Sequence, residues 1–584
     1  MKHCKKWHLP VLEALQRLVA ETPGNEVSAA CKDYVRELVP PPDGSLDGFV
    51  SRRDPMLADL EVSALLWFID GLIPFAQFDN PLWKDLCRRL RSSSENLSSS
   101  TTVIHSVLPA LYSYVSNLLR SHLASWSSFY TTFDSWTKYG LSFVSQHYHG
   151  ISSADFTFRI LLGDLIPFTS QKFEETLSGA LYHRQEYWTS GLTITRAGGL
   201  ADTAGNVQAA GRTLFGEDDM LKCQCHLIAL AYKDAAEGAR FFAQDFKALS
   251  GLCTFIAQNS NVSKSLSRFQ EAQELGEYSI LLPNDTRWNG SDRMLKRCIL
   301  LEMSLSGMRH MDEVIKLGSD LKDFLEPPFF DRIRGYSKCL DILNQASEFY
   351  QQQNFPVGCF VPIVSNFLLA AFVPSEMDNV FLQDFKTALH SSLSKRLNYI
   401  FDSPSIFVLS AMFHPGVAKF LLSSFDSEFV DSIFEAILAQ ANLLDPESVP
   451  FVTPSLQVYR KLINNINEPV PIVSLPGLTF SSGLFYGYNH MDFWKSVAKN
   501  TMPQSRYLQA LIPVAAMLLA VPAAEAVDEF AFSSAGSILT KGRVSMLPQT
   551  LEQVTVIRRF IQINLVSPKD VLSWLNEARK EAKK

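Results

Sequence analysis

Apolar residues recur at the three-to-four-residue period of one helix face over residues 57–90, at Leu57, Leu60, Leu65, Phe68 and Leu72. A Ser-rich, solvated break from Arg91 to Thr102 follows. From Phe129 the period falls to two. Phe129 to Phe133 is aromatic and β-branched, Leu141, Phe143, Ser145 and His147 alternate with Ser142, Val144, Gln146 and Tyr148, and Phe156, Phe158, Ile160 and Leu162 alternate again. Three short strands in succession predict an antiparallel meander. Helical spacing resumes over Phe173 to Leu181, an extended stretch from Gly191 to Leu200 leads to Asp202, and a further helix is expected near Asn206. A meander followed by alternating helix and strand predicts a mixed α/β sheet.

Between about residues 246 and 500 helical patterns broken by Pro and Gly dominate, with no internal repeat, so a long helical block interrupts the core. Arg506 to Val521 then reads as a buried helix. Leu551, Val554, Ile557, Ile561 and Leu565 form a stripe on a last helix that Pro548 can start, free to bury against the core or against a second subunit. The expected division is 1–45 as tail and linker, 46–125 as a small helical domain, 126–245 as the first part of the core and 246–505 as a helical insertion. Residues 506–575 then form the C-terminal part of the core with a dimerisation region, and 576–584 a charged tail.

Composition narrows the function. Hydrophobic residues make up 47% of the 584 and charged residues 19%, which is the make-up of a packed protein and not of a disordered one. The net charge of −7 excludes a polybasic binder, so nucleic acid would need a local basic surface. Arg52, Arg53, Lys541, Arg543, Arg558 and Arg559 are candidates for phosphate contacts or are ordinary surface charge. Nine scattered cysteines and the lack of a signal-like start suit a reducing compartment. The longest apolar run, Ala510 to Ala524, is shorter than a membrane span and carries Pro513 and Pro522, so a buried helix is expected there and no membrane association. Cys4, His8 and Cys31 do not have zinc-finger spacing. No Gly-x-Ser-x-Gly elbow, Walker loop or His-Glu-x-x-His helix is present, which argues against a serine hydrolase, a nucleotide hydrolase or a zinc peptidase.

Five collinear segments carry a resemblance. Glu529 to Arg543, containing Phe532-Ser533-Ser534-Ala535-Gly536, leads into Leu547-Pro548-Gln549. Thr286-Arg287-Trp288-Asn289 and Cys223-Gln224-Cys225-His226 are the next in weight. Thr132-Phe133-Asp134-Ser135-Trp136-Thr137 and Ala201-Asp202-Thr203-Ala204-Gly205-Asn206 complete the set. Together they resemble the hAT superfamily of DNA transposases, the hobo and Activator group, over about 400 residues.

The resemblance implies an α/β ribonuclease H-like catalytic core interrupted by a large all-helical insertion, mostly helical overall, with an Asp/Asp/Glu triad. Asp134, Asp202 and Glu529 would be the catalytic acids and the ligands of Mg²⁺ or Mn²⁺ in DNA strand cleavage and transfer at transposon ends. Two-metal phosphoryl transfer needs such a compact carboxylate set, so the residues suit the chemistry. Glu525 and Asp528 are close rivals of Glu529, and Phe530 stands where the family often has Arg.

By the same resemblance Trp288 would stack on a flipped base, with Arg287, Lys541 and Arg543 also on DNA. Phe532, Leu551, Val554, Ile557 and Ile561 would serve dimerisation. Cys223 and His226 form a structural motif, since two ligands are half of a zinc site and zinc is not expected. The implied partners are terminal inverted repeats and a second copy of the chain, and the implied location is the nucleus. The alternative is a domesticated or truncated derivative that dimerises and binds DNA or protein without catalysis. In support of it, no upstream BED-type zinc finger is seen in the sequence.

Overall fold

The structure is a computed structural model; it describes residues 55–81, 83–84, 99–168, 173–282, 289–309, 325–465, 490–539 and 546–581. The chain is mostly helical around one mixed five-stranded sheet. Helix α1 (Pro55–Asp70) and α2 (Leu108–Ala124) precede β1 (Ser128–Lys138), β2 (Leu141–Ile151) and β3 (Phe158–Phe168). Then come α3 (Phe173–Thr189), β4 (Thr195–Ala201), α4 (Gly205–Phe215), β5 (Met220–Lys222) and α5 (Gln224–Gly238). The strand order is β3-β2-β1-β4-β5, with β2 antiparallel to β1 and β3, and β4 parallel to β1 and β5. The three strands of the meander therefore lie where the two-residue periodicity predicts them, apart from a start at Phe158 and not Phe156 for the third, and β4 lies in the extended stretch expected to lead to Asp202. The three-residue β5 is too short to produce any periodicity in the sequence.

Alternation along the strands separates two layers. On one face Phe133, Val144 and Ile166 pack with Leu177 and Leu181 of α3 and Val207 and Ala210 of α4. On the other, Tyr130 and Leu200 join the large core of the helical block. From Arg240 to the last helices the described residues contain no strand. This block begins with α6 (Arg240–Gln258), a few residues before the expected boundary, and it includes α7 (Asn289–Leu300), α8 (Pro327–Tyr350) and α9 (Val380–Leu397). Among the described residues, those of the expected small helical domain at 46–125 form no core of their own. Leu65 and Phe68 of α1 share one core with Leu161 and Leu165 of β3 and with the C-terminal helices.

The run from Arg506 to Val521 is three short elements instead of one helix: Ser505–Leu508, a 3₁₀ turn at Gln509–Leu511, and α10 (Ile512–Leu519). Pro513 sits in the first turn of α10, where a missing N–H costs nothing. Among the described residues no single helix is long and apolar enough to cross a membrane. The chain closes with α11 (Ala526–Ile538), α12 (Pro548–Gln562), which starts at Pro548 as predicted, and α13 (Pro568–Glu581).

The strap between α10 and α11 is wedged against the helical block at Gly358, where a Cβ would stand 2.2 Å from the carbonyl oxygen of Val521. That neighbour is backbone and cannot swing away. Gly358→Ala is expected to destabilise the protein by at least about 2 kcal/mol, the upper range for overpacking, as a lowered denaturant midpoint at unchanged m-value. Wild-type stability would show that the strap moves freely.

Candidate functional site

The β1–β2 register pairs Thr132 with His147, Asp134 with Ser145 and Trp136 with Phe143, so these six side chains share one face of the sheet. The parallel register of β1 with β4 pairs Thr132 with Leu200, and two residues further on Asp202 stands level with Asp134, just past the end of β4. Helix α11 covers this face. Phe532 stacks on Trp136 at 5.7 Å between centroids and 16° between planes. A Cβ on Gly536 would lie 3.3 Å from the same indole, so glycine is what lets the helix come this close. The Gly536 carbonyl accepts a hydrogen bond from Lys138 Nζ at 2.6 Å. Thus the Asp134-Ser-Trp-Thr segment and the Phe532-Ser-Ser-Ala-Gly536 segment, about 400 residues apart, form two halves of one contact.

The acids meet beside that contact. Asp134 is half-buried and accepts a hydrogen bond from the Ser135 N–H at 2.6 Å. Burial first, then the charge of Asp528 and more weakly those of Asp202 and Glu529, push its carboxyl up to about 7, against the pull of the Ser135 bond. Asp528 is fully buried. Its Oδ1 accepts from Ser145 Oγ at 2.6 Å and from His147 Nδ1 at 2.8 Å, while Oδ2 is buried with no hydrogen-bond partner. Glu525 stands at the N-cap of α11, one turn before Asp528. Burial, then Cys223, Asp134, Asp202 and Asp528 raise its carboxyl well above the usual range, and its Oε2 is a second buried oxygen without a partner. Glu529 is exposed on the outer side of α11, next to the exposed Phe530. Its charge still reaches Asp134.

The Cys-x-x-His segment holds this cluster from behind. The Cys223 N–H donates to the Ala201 carbonyl and the Gln224 N–H to the Ala523 carbonyl, both at 2.9 Å, joining the end of β4 to the strap before α11. Burial, then Cys225, raises the Cys223 thiol well above its ordinary range, with the backbone N–H groups of Glu525 and His226 pulling the other way. His226 lies close enough to Asp202 to feel its charge, yet burial dominates and lowers its pKa. Asp202 accepts from the Ala204 N–H at 3.0 Å, and Gln208 Nε2 donates to the Asp202 carbonyl at 2.5 Å.

Other predicted positions fall elsewhere. Arg287, Trp288, Lys541 and Arg543, with Arg52, Arg53, Cys4, His8 and Cys31, lie outside the described residues. Phe532, Leu551, Val554 and Ile557 are buried in the chain's own core, and Ile561 packs partly buried against it. Of the two destinations open to the stripe, it takes the intramolecular one, so these side chains do not present an exposed contact face. Arg558 donates to the Asp70 carbonyl at 3.0 Å and to Ser534 Oγ at 2.6 Å. Arg559, its pKa lowered by burial, donates to Gln353. Arg558 thus ties α12 to α1 and α11, and Arg559 ties α12 to the loop after α8. Ser145 and His147 were legible only as strand residues, and no local signal marks them as partners of a carboxylate some 380 positions away.

Among the described residues no three Asp, Glu, His or Cys side chains stand close enough together to hold a metal ion as they are. The donor chemistry nevertheless fits a hard divalent cation. Carboxylates of β1, β4 and α11 share one electrostatic neighbourhood, and two buried carboxylate oxygens lack any partner. No protein-family model and no curated protein matches this chain.

Proposed function

We propose that this protein is a hAT-type DNA transposase-like enzyme, in which Asp134, Asp202 and Glu529 hold divalent cations for strand cleavage and transfer at transposon ends. One observation carries the reading: acids from three distant segments gather over the central strands β1 and β4 of a β3-β2-β1-β4-β5 sheet. Acids gathered so that their charges help raise the carboxyls of Asp134 and Glu525 are what phosphoryl-transfer chemistry requires and what stability alone disfavours. That order, with its one antiparallel meander and two parallel additions, supports a ribonuclease H-like core, and the all-helical block following α5 supports an insertion into it.

Mg²⁺ or Mn²⁺, when bound, supplies an activated water or 3′-hydroxyl and stabilises the leaving oxygen. The chain's own residues hold and orient the acids. The Ser135 N–H fixes the rotation of Asp134, the Ala204 N–H fixes Asp202, and the Trp136–Phe532 stack sets the distance of α11 from β1. His226, kept neutral by burial, adds no positive charge that would compete for Asp202.

The test is cleavage of duplex DNA carrying the inverted repeats that flank the coding region, by the purified full chain with Mn²⁺. Strand cleavage at the repeat ends is expected. Two observations favour a second reading, a derivative that dimerises and binds without catalysis: Glu529 is exposed, and among the described residues no three acids stand close enough together to hold a metal ion. Binding to the repeats with no Mn²⁺-dependent cleavage would select it.

A further inference from the structure

We propose that Asp528 is an additional carboxylate of the cation site, clamped to β2 through Oδ1 and offering Oδ2 to the cation beside Asp134. This rests on the metal-dependent reading above and adds a residue that the triad leaves out. The clamp is built entirely from β2. Ser145 Oγ and His147 Nδ1, two residues apart on the same face, both donate to the single oxygen Oδ1, at 2.6 Å and 2.8 Å. With Oδ1 as the acceptor, the His147 tautomer that fits this contact carries its proton on Nδ1.

Oδ2 is buried and unpartnered in a residue with no exposed surface. A side chain serving only to anchor α11 would gain from spreading two donors over two oxygens, and leaving one bare inside the protein costs about 1–3 kcal/mol. Ser145 is directly opposite Asp134 in the β1–β2 register, so a carboxylate bonded to Ser145 stands over the position of Asp134. Glu525, one turn earlier on α11, brings a second bare oxygen to the same neighbourhood. A cation is the partner that satisfies both oxygens and offsets the like charges crowded around them. His147 and Ser145 are then positioning residues: they touch neither cation nor substrate, and they fix which oxygen of Asp528 faces inward.

The test is Mn²⁺ binding to the full-length protein without DNA, by isothermal titration. Asp528→Asn keeps an oxygen for Ser145 and His147 and replaces the other with an amide nitrogen, so the clamp survives while the cation donor is lost. Mn²⁺ affinity is expected to fall about tenfold or more, with the metal-free unfolding midpoint not lowered. Ser145→Ala leaves the carboxylate in place and is expected to weaken Mn²⁺ about threefold or more through loss of orientation, so it carries the test if Asp528→Asn does not fold. Wild-type Mn²⁺ affinity in the folded Asp528→Asn protein, or in Ser145→Ala where that replaces it, overturns the inference. If Asp134→Asn weakens Mn²⁺ in the same series, the metal-dependent reading survives that failure. A wild-type chain that binds no Mn²⁺ overturns both.

Discussion

Asp134→Asn is expected to abolish Mn²⁺-dependent strand cleavage and, in the same protein without divalent ions, to raise stability above about pH 7. Both effects come from one cause. Burial and the charges of Asp528, Asp202 and Glu529 push the Asp134 carboxyl up to about 7 in the folded chain, whereas in an unfolded chain it ionises near 3.9. The folded state therefore holds the proton longer, and stability contributed by this group is complete below about pH 4 and is lost as pH rises to about 7. Asn mimics the protonated form at every pH. The stability gap between variant and wild type should thus be small at about pH 4, open between about 4 and 7, and stay constant above. At roughly 1.4 kcal/mol per pKa unit the ceiling is about 4 kcal/mol, and solvent at this half-exposed position brings the expected gain to about 1–2 kcal/mol. Denaturant titrations across that range, with and without Mn²⁺, measure it. A variant that cleaves DNA like wild type would sink the catalytic role. One that is less stable than wild type above pH 7 would show that the charged form is satisfied within the fold, against the crowding of acids described above.

How far the sequence reaches can be argued from the same residues. The strands of the meander were legible because each is eleven residues long, with apolar side chains on both faces and enough polar ones, such as Ser145 and His147, to reveal a two-residue period. β4 was legible through its extended Gly-rich stretch, whereas β5, with three residues, offers no period to read. The run before α11 looked continuous because Ile512 to Leu519 is apolar all round. The break at 509–511 comes from tertiary packing and from Pro513 starting a new helix. Asp134 and Asp202 could be singled out because each lies in a recognisable segment, although only Asp202 follows the end of its strand and Asp134 sits inside β1, four residues before its end. The acids on α11 could not be ordered from sequence. Glu525, Asp528 and Glu529 all fall within one turn or so, and only the approach of α11 to β2 buries Asp528 and leaves Glu529 outward. The C-terminal stripe shows the complementary limit. A helix periodicity states that Leu551, Val554 and Ile557 are buried, but not whether β3 and α1 or a second chain buries them.

Arg184→Met is expected to cost about 3–5 kcal/mol above neutral pH, the largest single-residue loss of stability predicted for this chain. Arg184, on α3, stands between two buried carboxylates, with Nη1 3.5 Å from Asp164 of β3 and Nη2 3.3 Å from Glu552 of α12. It is the shared counter-charge that lets both acids sit inside the core joining the sheet to the C-terminal helices. Asp164 also accepts from Trp188 Nε1 at 2.9 Å, but burial still raises its carboxyl. Glu552 is pushed up to about 7 by burial even with Arg184 pulling it down. A methionine of similar length fills the space and removes the charge, leaving two carboxylates with no cation between them. Their folded-state pKa values then rise further, while the unfolded values remain near 4. The cost therefore opens as pH rises past about 7, where Glu552 ionises in the wild type while the variant's carboxyls still hold their protons, and it is small at about pH 5, where Glu552 is protonated in both folded proteins. Adding Glu552→Gln to Arg184→Met should return part of the loss above neutral pH, because one of the two stranded charges is gone. Urea midpoints of wild type, single and double variants at about pH 5 and pH 8 decide the matter. A pH-independent loss, or no recovery in the double variant, would mean that Arg184 acts through its packed stem and not through its charge.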